Sequence, residues 1–163
     1  MIQQKVDGSD FFNRSWAEYK VGFGEPNGNY WRGNDVLSQL TQTGRYKVRF
    51  DLQARNGSWY WAEYSMFIVL NEANNYRLQV FGYSGNAGYN GFGQHNGMEF
   101  TTYDRDNDPW TNSHYNNNCA VYMGGGCWFW YCGFCDFNNV RGRGHSFVSV
   151  SYTHLTLPTK RIV

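Results

Sequence analysis

Hydrophobic and polar residues alternate strictly in the middle of the chain, between residues 45 and 53. The hydrophobic positions of this segment are Tyr46, Val48, Phe50 and Leu52. The residues between them are charged or carry an amide, so the period of two predicts a strand with one buried face. The dipeptide Asn56-Gly57 follows and predicts a hairpin, because both residues readily adopt the positive φ angles of tight turns.

Two further strands complete a predicted antiparallel meander. The return strand runs from Trp59 to Leu70, and its second half, from Met66 onward, is apolar enough to be buried on both faces. A turn at residues 71–75 leads to the third strand. The hydrophobic positions of that strand are Tyr76, Leu78, Val80 and Tyr83.

Two short helices are predicted before these strands. The first covers Asp10–Phe23, with Asp10 as its N-cap. The aromatic residues spaced to lie on one face of this helix are Phe12, Trp16 and Tyr19. The second helix follows Asn34, its predicted N-cap, and ends at Gly44. Helices placed beside an antiparallel sheet define an α+β fold class.

The composition restricts the possible partners. A chain of 163 residues is expected to form one domain, and 20% of its residues are aromatic against 17% charged. The net charge of +1 gives no electrostatic basis for binding nucleic acid or a membrane surface. No apolar run is long enough to span a bilayer, so neither nucleic acid nor membrane insertion is predicted.

An acidic loop is the main candidate for chemistry, with Asp104, Asp106 and Asp108 at alternate positions. Ca²⁺ needs several oxygen ligands from a short segment, so the loop is a candidate calcium site, and an ordinary solvated turn is the equal alternative. A glycosidase is the enzymatic alternative. It would need two carboxylates on either side of a glycosidic bond, whereas three in one loop converge more naturally on a cation, so no enzyme is predicted.

Four cysteines lie close together, at positions 119, 127, 132 and 135. Their even number is typical of a disulfide framework. A zinc site is the alternative, with ligands from Cys127, Cys132, Cys135 and His145. Structural zinc sites usually join two separate short clusters, which this one-sided cluster does not provide.

Two longer motifs resemble the fibrinogen C-terminal globular domains, a family shared by fibrinogen, ficolins, tachylectins, tenascins and angiopoietins. The first is DGSDFFNRSWAEYKVGFGEPNGNYWRGNDVLSQLT, and the second is FTTYDRDND followed by NCA. The resemblance implies an α+β domain with a loop-rich calcium-binding lobe. It also implies a secreted, extracellular recognition module without catalysis, whose parent protein is a homo-oligomer through a stalk absent from this chain.

The resemblance also implies particular site residues. It assigns the side chains of Asp106 and Asp108 to Ca²⁺, together with the backbone carbonyls of Trp110 and Asn112. It pairs Cys119 with Cys132 in a disulfide. Cys127 and Cys135 are additional, and could pair with each other, pair between chains or stay free.

A ligand pocket is implied beside the calcium loop. The predicted lining residues are Trp128, Phe129, Trp130 and Tyr131. This pocket departs from the family pattern, since Gly133 stands where a histidine is usual and Cys127 where a tryptophan is usual. The resemblance implies recognition of an acetyl group or a peptide terminus beside the calcium site, and an aromatic slot would suit an acetyl methyl. We therefore expect a lectin-like protein of innate immunity that binds acetylated glycans. Two alternatives stay open: the rings fill the interior of the small calcium-binding lobe, and the domain binds a protein partner with calcium purely stabilising.

The two ends of the chain depart from the resemblance, so the partial domain is assigned to residues 1–149. Residues 150–159 read VSYTHLTLPT, which one frame of a common sequencing adaptor also encodes. Residues 150–163 are therefore interpreted as an artefactual tail, and an ordinary Thr-rich strand is the alternative. Without a returning strand, the central strands are expected to carry unpaired backbone groups and the domain to be poorly stable.

Two Asn-x-Ser tripeptides, at Asn13 and Asn56, are potential acceptors for N-linked glycans. Asn56 is the better candidate, because it lies at the predicted hairpin tip.

Overall fold

One antiparallel sheet organises the computed structural model, which describes residues 1–43, 45–54, 56–111, 113–133, 135 and 150–156. Its strands are β1 (Gln3–Lys5), β2 (Phe23–Gly24), β3 (Tyr30–Trp31), β4 (Lys47–Gln53), β5 (Trp59–Val69), β6 (Leu78–Gly85) and β7 (Val150–Thr156). They lie in the order β2-β3-β1-β7-β4-β5-β6. The α-helices of the described residues are α1 (Trp16–Val21), α2 (Asn34–Thr43) and α3 (Cys119–Met123).

The predicted meander is formed by β4, β5 and β6, and the Asn56-Gly57 turn joins the first two, with Gly57 at a φ of 85°. The second half of β5, however, is not buried on both faces, because Met66 is 45% exposed. Residues three positions apart face opposite sides of a regular strand. Tyr64 and Phe67 are nevertheless both buried. The inward-facing side of β5 therefore changes between them and leaves Met66 on the outer face.

Helix α1 begins later than predicted. Its N-cap is Ser15, whose hydroxyl accepts the backbone N–H of Glu18, while the Glu18 carboxylate accepts the backbone N–H of Ser15. This capping box satisfies two donors of the first turn at once. Asp10 lies before the helix, and its backbone carbonyl accepts the N–H of Asn13. The prediction of Asp10 as the cap is wrong, because the reciprocal pair at Ser15 is the stronger start signal.

Helix α2 packs against the end of β5. Thr41 Oγ1 accepts the backbone N–H of Val69 at 2.9 Å, and Leu37 is fully buried. Asn34 is the first helical residue rather than a side-chain cap, and its Oδ1 accepts the indole N–H of Trp31 at 3.1 Å. Gly44, the predicted end of this helix, lies outside the described residues.

Strand β7 occupies the middle of the sheet, between β1 and β4. The prediction that the central strands lack a partner is therefore wrong. Thr153 of this strand faces inward at 3% exposure, and its hydroxyl donates to the buried Gln3 side chain at 2.9 Å, which ties β7 to β1. The strand alternative is thus the one that the structure forms. The boundary at residue 149 and the origin of residues 150–163 stay predictions.

The core lies on the inner face of the sheet and is built from aromatic rings more than aliphatic side chains. Its largest fully buried residues are Trp31, Trp128, Tyr19, Tyr64, Tyr76, Phe12, Phe67, Phe100, Phe129, Leu37, Leu78 and Met123. Among the described residues, no helix combines the length and the apolar character that crossing a membrane requires.

Candidate functional site

The first aspartate of the acidic loop is used to hold helix α1. Asp104 Oδ1 accepts the backbone N–H of Trp16, the first residue of the helix, at 2.9 Å, and also the Thr102 hydroxyl at 2.7 Å. The adjacent Arg105 guanidinium lies 4.0 Å from the centre of the Trp16 ring and donates to Asn75 Oδ1 at 2.6 Å. Asp104 and Arg105 therefore fix the loop against α1 and the turn that follows β5.

The other two aspartates face each other within the loop. Asp106 Oδ1 accepts the backbone N–H of Asp108 at 3.2 Å. Asp108 Oδ1 accepts the N–H of Trp110 at 3.0 Å, and its Oδ2 accepts the N–H of Cys119 at 2.9 Å. Each carboxylate oxygen has two lone pairs, so both oxygens of Asp108 keep capacity for a further ligand.

The electrostatics of this pair favour a bound cation. Burial raises the pKa of the Asp108 carboxyl from its ordinary 3.8 to about 6, against the hydrogen bonds from Cys119 and Trp110, and the Asp106 charge adds to the rise. Two carboxylates held this close repel each other when both are ionised. A cation between them would remove that repulsion.

The donors suit Ca²⁺ better than a metal that needs a cage of side chains. The residues that the structure describes include no group of three or more His, Cys, Asp or Glu side chains able to hold a metal ion. Ca²⁺ takes six to eight oxygen ligands and readily uses backbone carbonyls and water, so the carboxylates of Asp106 and Asp108 are donors of a suitable type. The carbonyl of Trp110 stays a predicted ligand. Asn112, the fourth predicted ligand, lies outside the described residues.

The loop beyond Asp108 is closed by its own aromatic cluster. The Tyr122 ring centre lies 5.4 Å from that of Trp110 and 4.6 Å from that of Tyr115. Asn118 then caps α3, with its side-chain oxygen accepting the N–H of Val121 and its amide donating to the carbonyl of Thr102. These contacts tie Trp110, Tyr115 and Asn118 to α3 and to the start of the acidic loop.

The cysteines form two disulfides, Cys119–Cys132 and Cys127–Cys135, with Cα–Cα distances of 4.8 and 6.3 Å. The first pair is the predicted one, and the second selects one of the three possibilities left open for the additional cysteines. The zinc alternative is wrong for these residues, because disulfide sulfurs are not available as thiolate ligands. Its fourth ligand, His145, lies outside the described residues.

The predicted pocket residues are divided between core and surface. Trp128 and Phe129 are 2% and 0% exposed, and the Trp128 indole donates to the carbonyl of Tyr76 at 2.7 Å. Trp130 and Tyr131 are 43% and 58% exposed, with ring centres 5.0 Å apart. A cavity of ≈ 10 Å³ beside Trp128 has room for about one water molecule, so it cannot hold an acetyl group. The first two rings are therefore buried and do not line an open pocket.

Two residues that position the loop were missed from the sequence. Arg105 binds Trp16 and Asn75, which are distant in the chain, so no local signal identifies it. Asn118 does have a local signal, since an Asn directly before a short apolar run is a typical N-cap.

The fold and the site together define a disulfide-linked α+β domain with an acidic loop near exposed aromatic residues. The chain belongs to the family of the C-terminal globular domain of fibrinogen beta and gamma chains, whose model matches residues 1–153. The fibrinogen beta chain of Gallus gallus is 41% identical over 156 residues, covering 81% of this chain and 34% of the relative. Angiopoietin-4 of Bos taurus is 40% identical over 140 residues, covering 86% and 27%.

Solved structures agree with this assignment and confirm the α+β fold. The fibrinogen-like globe domain of human ANGPTL2 superposes with a TM-score of 0.80 at 35% identity, covering 96% of this chain and 78% of that one. Lamprey fibrin D-dimer, in complex with the peptide Gly-His-Arg-Pro-amide, has a TM-score of 0.69 at 34% identity, covering 78% and 44%. This chain spans about a third or less of the length of the curated relatives described above.

Proposed function

We propose that this chain is a non-catalytic, secreted recognition domain that binds a protein partner and uses Ca²⁺ to hold its acidic loop. The observation that carries the proposal is a short path from the acidic loop to exposed aromatic rings. Asp108 binds the N–H of Cys119, Cys119 is linked by a disulfide to Cys132, and Tyr131 and Trp130 directly precede Cys132. A cation at Asp108 therefore stabilises the segment that presents these rings.

The exposed pair suits a protein partner. Trp and Tyr are enriched among the residues that dominate binding energies at protein interfaces, because they bury large rigid areas. Trp130 is fixed by its backbone N–H, which donates to Nδ1 of the buried His95 at 3.3 Å. The relatives include fibrinogen and angiopoietin chains, and the lamprey fibrin structure contains a bound peptide. The two disulfides suit an oxidising, extracellular location.

Binding of acetylated glycans is the second candidate. It would now depend on Trp130 and Tyr131 alone, because Trp128 and Phe129 lie in the core. We therefore favour the protein partner and treat the glycan as an outcome of the same experiment. Assembly of the parent protein into a homo-oligomer is a separate proposal that does not affect the test.

Calcium should raise the melting temperature of the purified chain, and Asp108→Asn should abolish the increase. A ligand at about one hundred times its Kd stabilises the folded state by about 2.7 kcal/mol, which corresponds to roughly 5–10 °C for a domain of this size. Differential scanning fluorimetry with and without calcium measures the effect. Asp104→Asn is the matched control, because Asp104 binds α1 instead. An equal calcium response in wild type and Asp108→Asn would contradict the proposal.

The calcium effect should also be smaller at pH 5 than at pH 7.5. Protons and Ca²⁺ compete for Asp108, so affinity falls by up to about tenfold per pH unit below a pKa of about 6. Without metal, the raised pKa of Asp108 contributes to the stability of the folded state, and the contribution is complete below pH 3.8. It is lost as the pH rises through about 6. Melting temperatures are measured across this pH range for wild type and Asp108→Asn. The difference between the two isolates the contribution of Asp108. A calcium increment independent of pH would argue against Asp108 as a ligand.

The partner is tested by screening the labelled chain against an array of extracellular receptor domains, with Gly-His-Arg-Pro-amide as a peptide probe. We expect Trp130→Ala to weaken binding to the partner by about tenfold or more. Phe81→Ala is the control, since Phe81 is similarly exposed, at 51%, but lies on β6. Retention on an N-acetylglucosamine resin, with release by EDTA and by free acetate, would instead favour the glycan. Equal losses for both variants would exclude the aromatic pair as the binding surface.

A further inference from the structure

We propose that Asn56 carries an N-linked glycan and that Asn13, the other Asn-x-Ser site, does not. The inference requires the chain to pass through a secretory pathway, which is part of the proposed function. It does not depend on calcium or on the aromatic pair. The distinction between the two sites follows from the different structural roles of their serine residues.

Asn56 lies where a glycosyltransferase can reach it. The residues at the tip of the β4–β5 hairpin, Asn56, Gly57 and Ser58, are all exposed. The Asn56 side-chain oxygen accepts the backbone N–H of Ser58 at 3.0 Å, a local turn that uses the oxygen and, among the described residues, not the amide nitrogen. A Cβ placed on Gly57 would have no atom within 4 Å, so the surrounding space is open.

The reaction joins the side-chain nitrogen of Asn56 to an activated sugar, and the host transferase recognises Ser58 of the same tripeptide. In the reaction, Nδ2 attacks the anomeric carbon of a lipid-linked oligosaccharide pyrophosphate. A C–N bond forms and the C–O bond to the pyrophosphate breaks, with the bonding pair leaving on the lipid pyrophosphate. The nitrogen loses one proton, which a base of the host transferase accepts.

Asn13 is exposed, but its serine is committed to the start of α1. The Ser15 hydroxyl accepts the N–H of Glu18 and donates to the Glu18 carboxylate at 2.9 Å. The middle residue of the tripeptide is Arg14, whose side chain donates to the carbonyl of Phe11 at 2.9 Å and to the Glu18 carboxylate at 3.0 Å. Binding of this tripeptide in a transferase would require the capping box and the Arg14 contacts to open.

A glycan at Asn56 would also leave the acidic loop accessible. Strand β5 has 11 residues, so its two ends lie roughly 35 Å apart at about 3.3 Å per residue. The hairpin tip is at the first end. Asn75, in the turn beyond the second end, accepts the Arg105 guanidinium and so lies against the acidic loop. The modification and the acidic loop therefore lie at opposite ends of the strand.

The test is expression in animal cells behind a cleavable secretion leader, followed by digestion of the lysate and the medium with peptide-N-glycosidase F. We expect one mobility shift, complete loss of it in Asn56→Gln and in Ser58→Ala, and retention in Asn13→Gln and Ser58→Thr. Digestion in ¹⁸O-water should convert the glycosylated Asn56 to an aspartate that carries one ¹⁸O atom, which mass spectrometry detects. A mobility shift that persists in Asn56→Gln would overturn the proposal. So would the absence of a shift in the wild-type chain while a co-expressed glycoprotein is modified. Because the leader supplies entry, either result counts against the site and not against the proposed function.

Discussion

Replacing Trp128 by alanine should lower the free energy of unfolding by about 3–5 kcal/mol. The side chain is 2% exposed, and its ring centre lies 4.9 Å from that of Phe100 and 6.2 Å from that of Trp31. The substitution leaves a cavity among rigid rings and removes the hydrogen bond to the Tyr76 carbonyl. The free energy of unfolding of a whole domain is only about 5–15 kcal/mol, so this single change should remove much of the protein's stability.

Urea unfolding monitored by circular dichroism measures the change through the transition midpoint. Trp130→Ala is the matched control and should change stability by roughly 0.5 kcal/mol or less, since Trp130 is 43% exposed. Trp128→Phe keeps a ring but loses the indole N–H, so it provides an intermediate value if the alanine variant does not fold. Similar effects at positions 128 and 130 would contradict the division of these rings between core and surface.

Removing the Cys119–Cys132 disulfide should destabilise the domain by about 3 kcal/mol, the value expected for a loop that closes over 13 residues. Cys119→Ala/Cys132→Ala makes the change without leaving a free thiol. It should also reduce the calcium-induced rise in melting temperature. The reason is that the disulfide fixes the backbone N–H of Cys119, which binds Asp108.

The double variant Cys127→Ala/Cys135→Ala is the control for the second effect. Its loop is shorter, with a separation of 8, so the same relation gives a loss of about 2.5 kcal/mol. The Asp108 carboxylate accepts hydrogen bonds from Trp110 and Cys119, which this variant keeps, so its calcium response should match that of wild type. Equal calcium responses in the two double variants would show that the first disulfide does not position the loop.

The strands of the meander were predictable because their signals are local. The alternation around Val48 and the Asn56-Gly57 turn specify both the pairing and the connection. The start of α1 was placed wrongly because Asp10 and Ser15 are both acceptable caps. Only Ser15 is followed three residues later by Glu18, which provides the reciprocal hydrogen bond. That spacing was present in the sequence and carried the deciding information.

The site was predictable only in part, because several of its features depend on distant contacts. The spacing of the aspartates predicts a loop with three carboxylates, but the spacing alone does not separate Asp106 and Asp108 from Asp104. That residue differs because Trp16, far away in the chain, donates to it. The run from Trp128 to Tyr131 has no helical or strand period, so the sequence gives no basis for deciding which rings are buried.

The position of β7 has a consequence for the order of events during synthesis. The strands β2, β3 and β1 form one half of the sheet, and β4, β5 and β6 form the other, with β7 paired to both halves. The ribosome releases residues 150–156 after every other described segment, so the sheet cannot close until they emerge. Until then the nascent chain exposes the edges of β1 and β4, and its folding depends on contacts that are non-local in sequence.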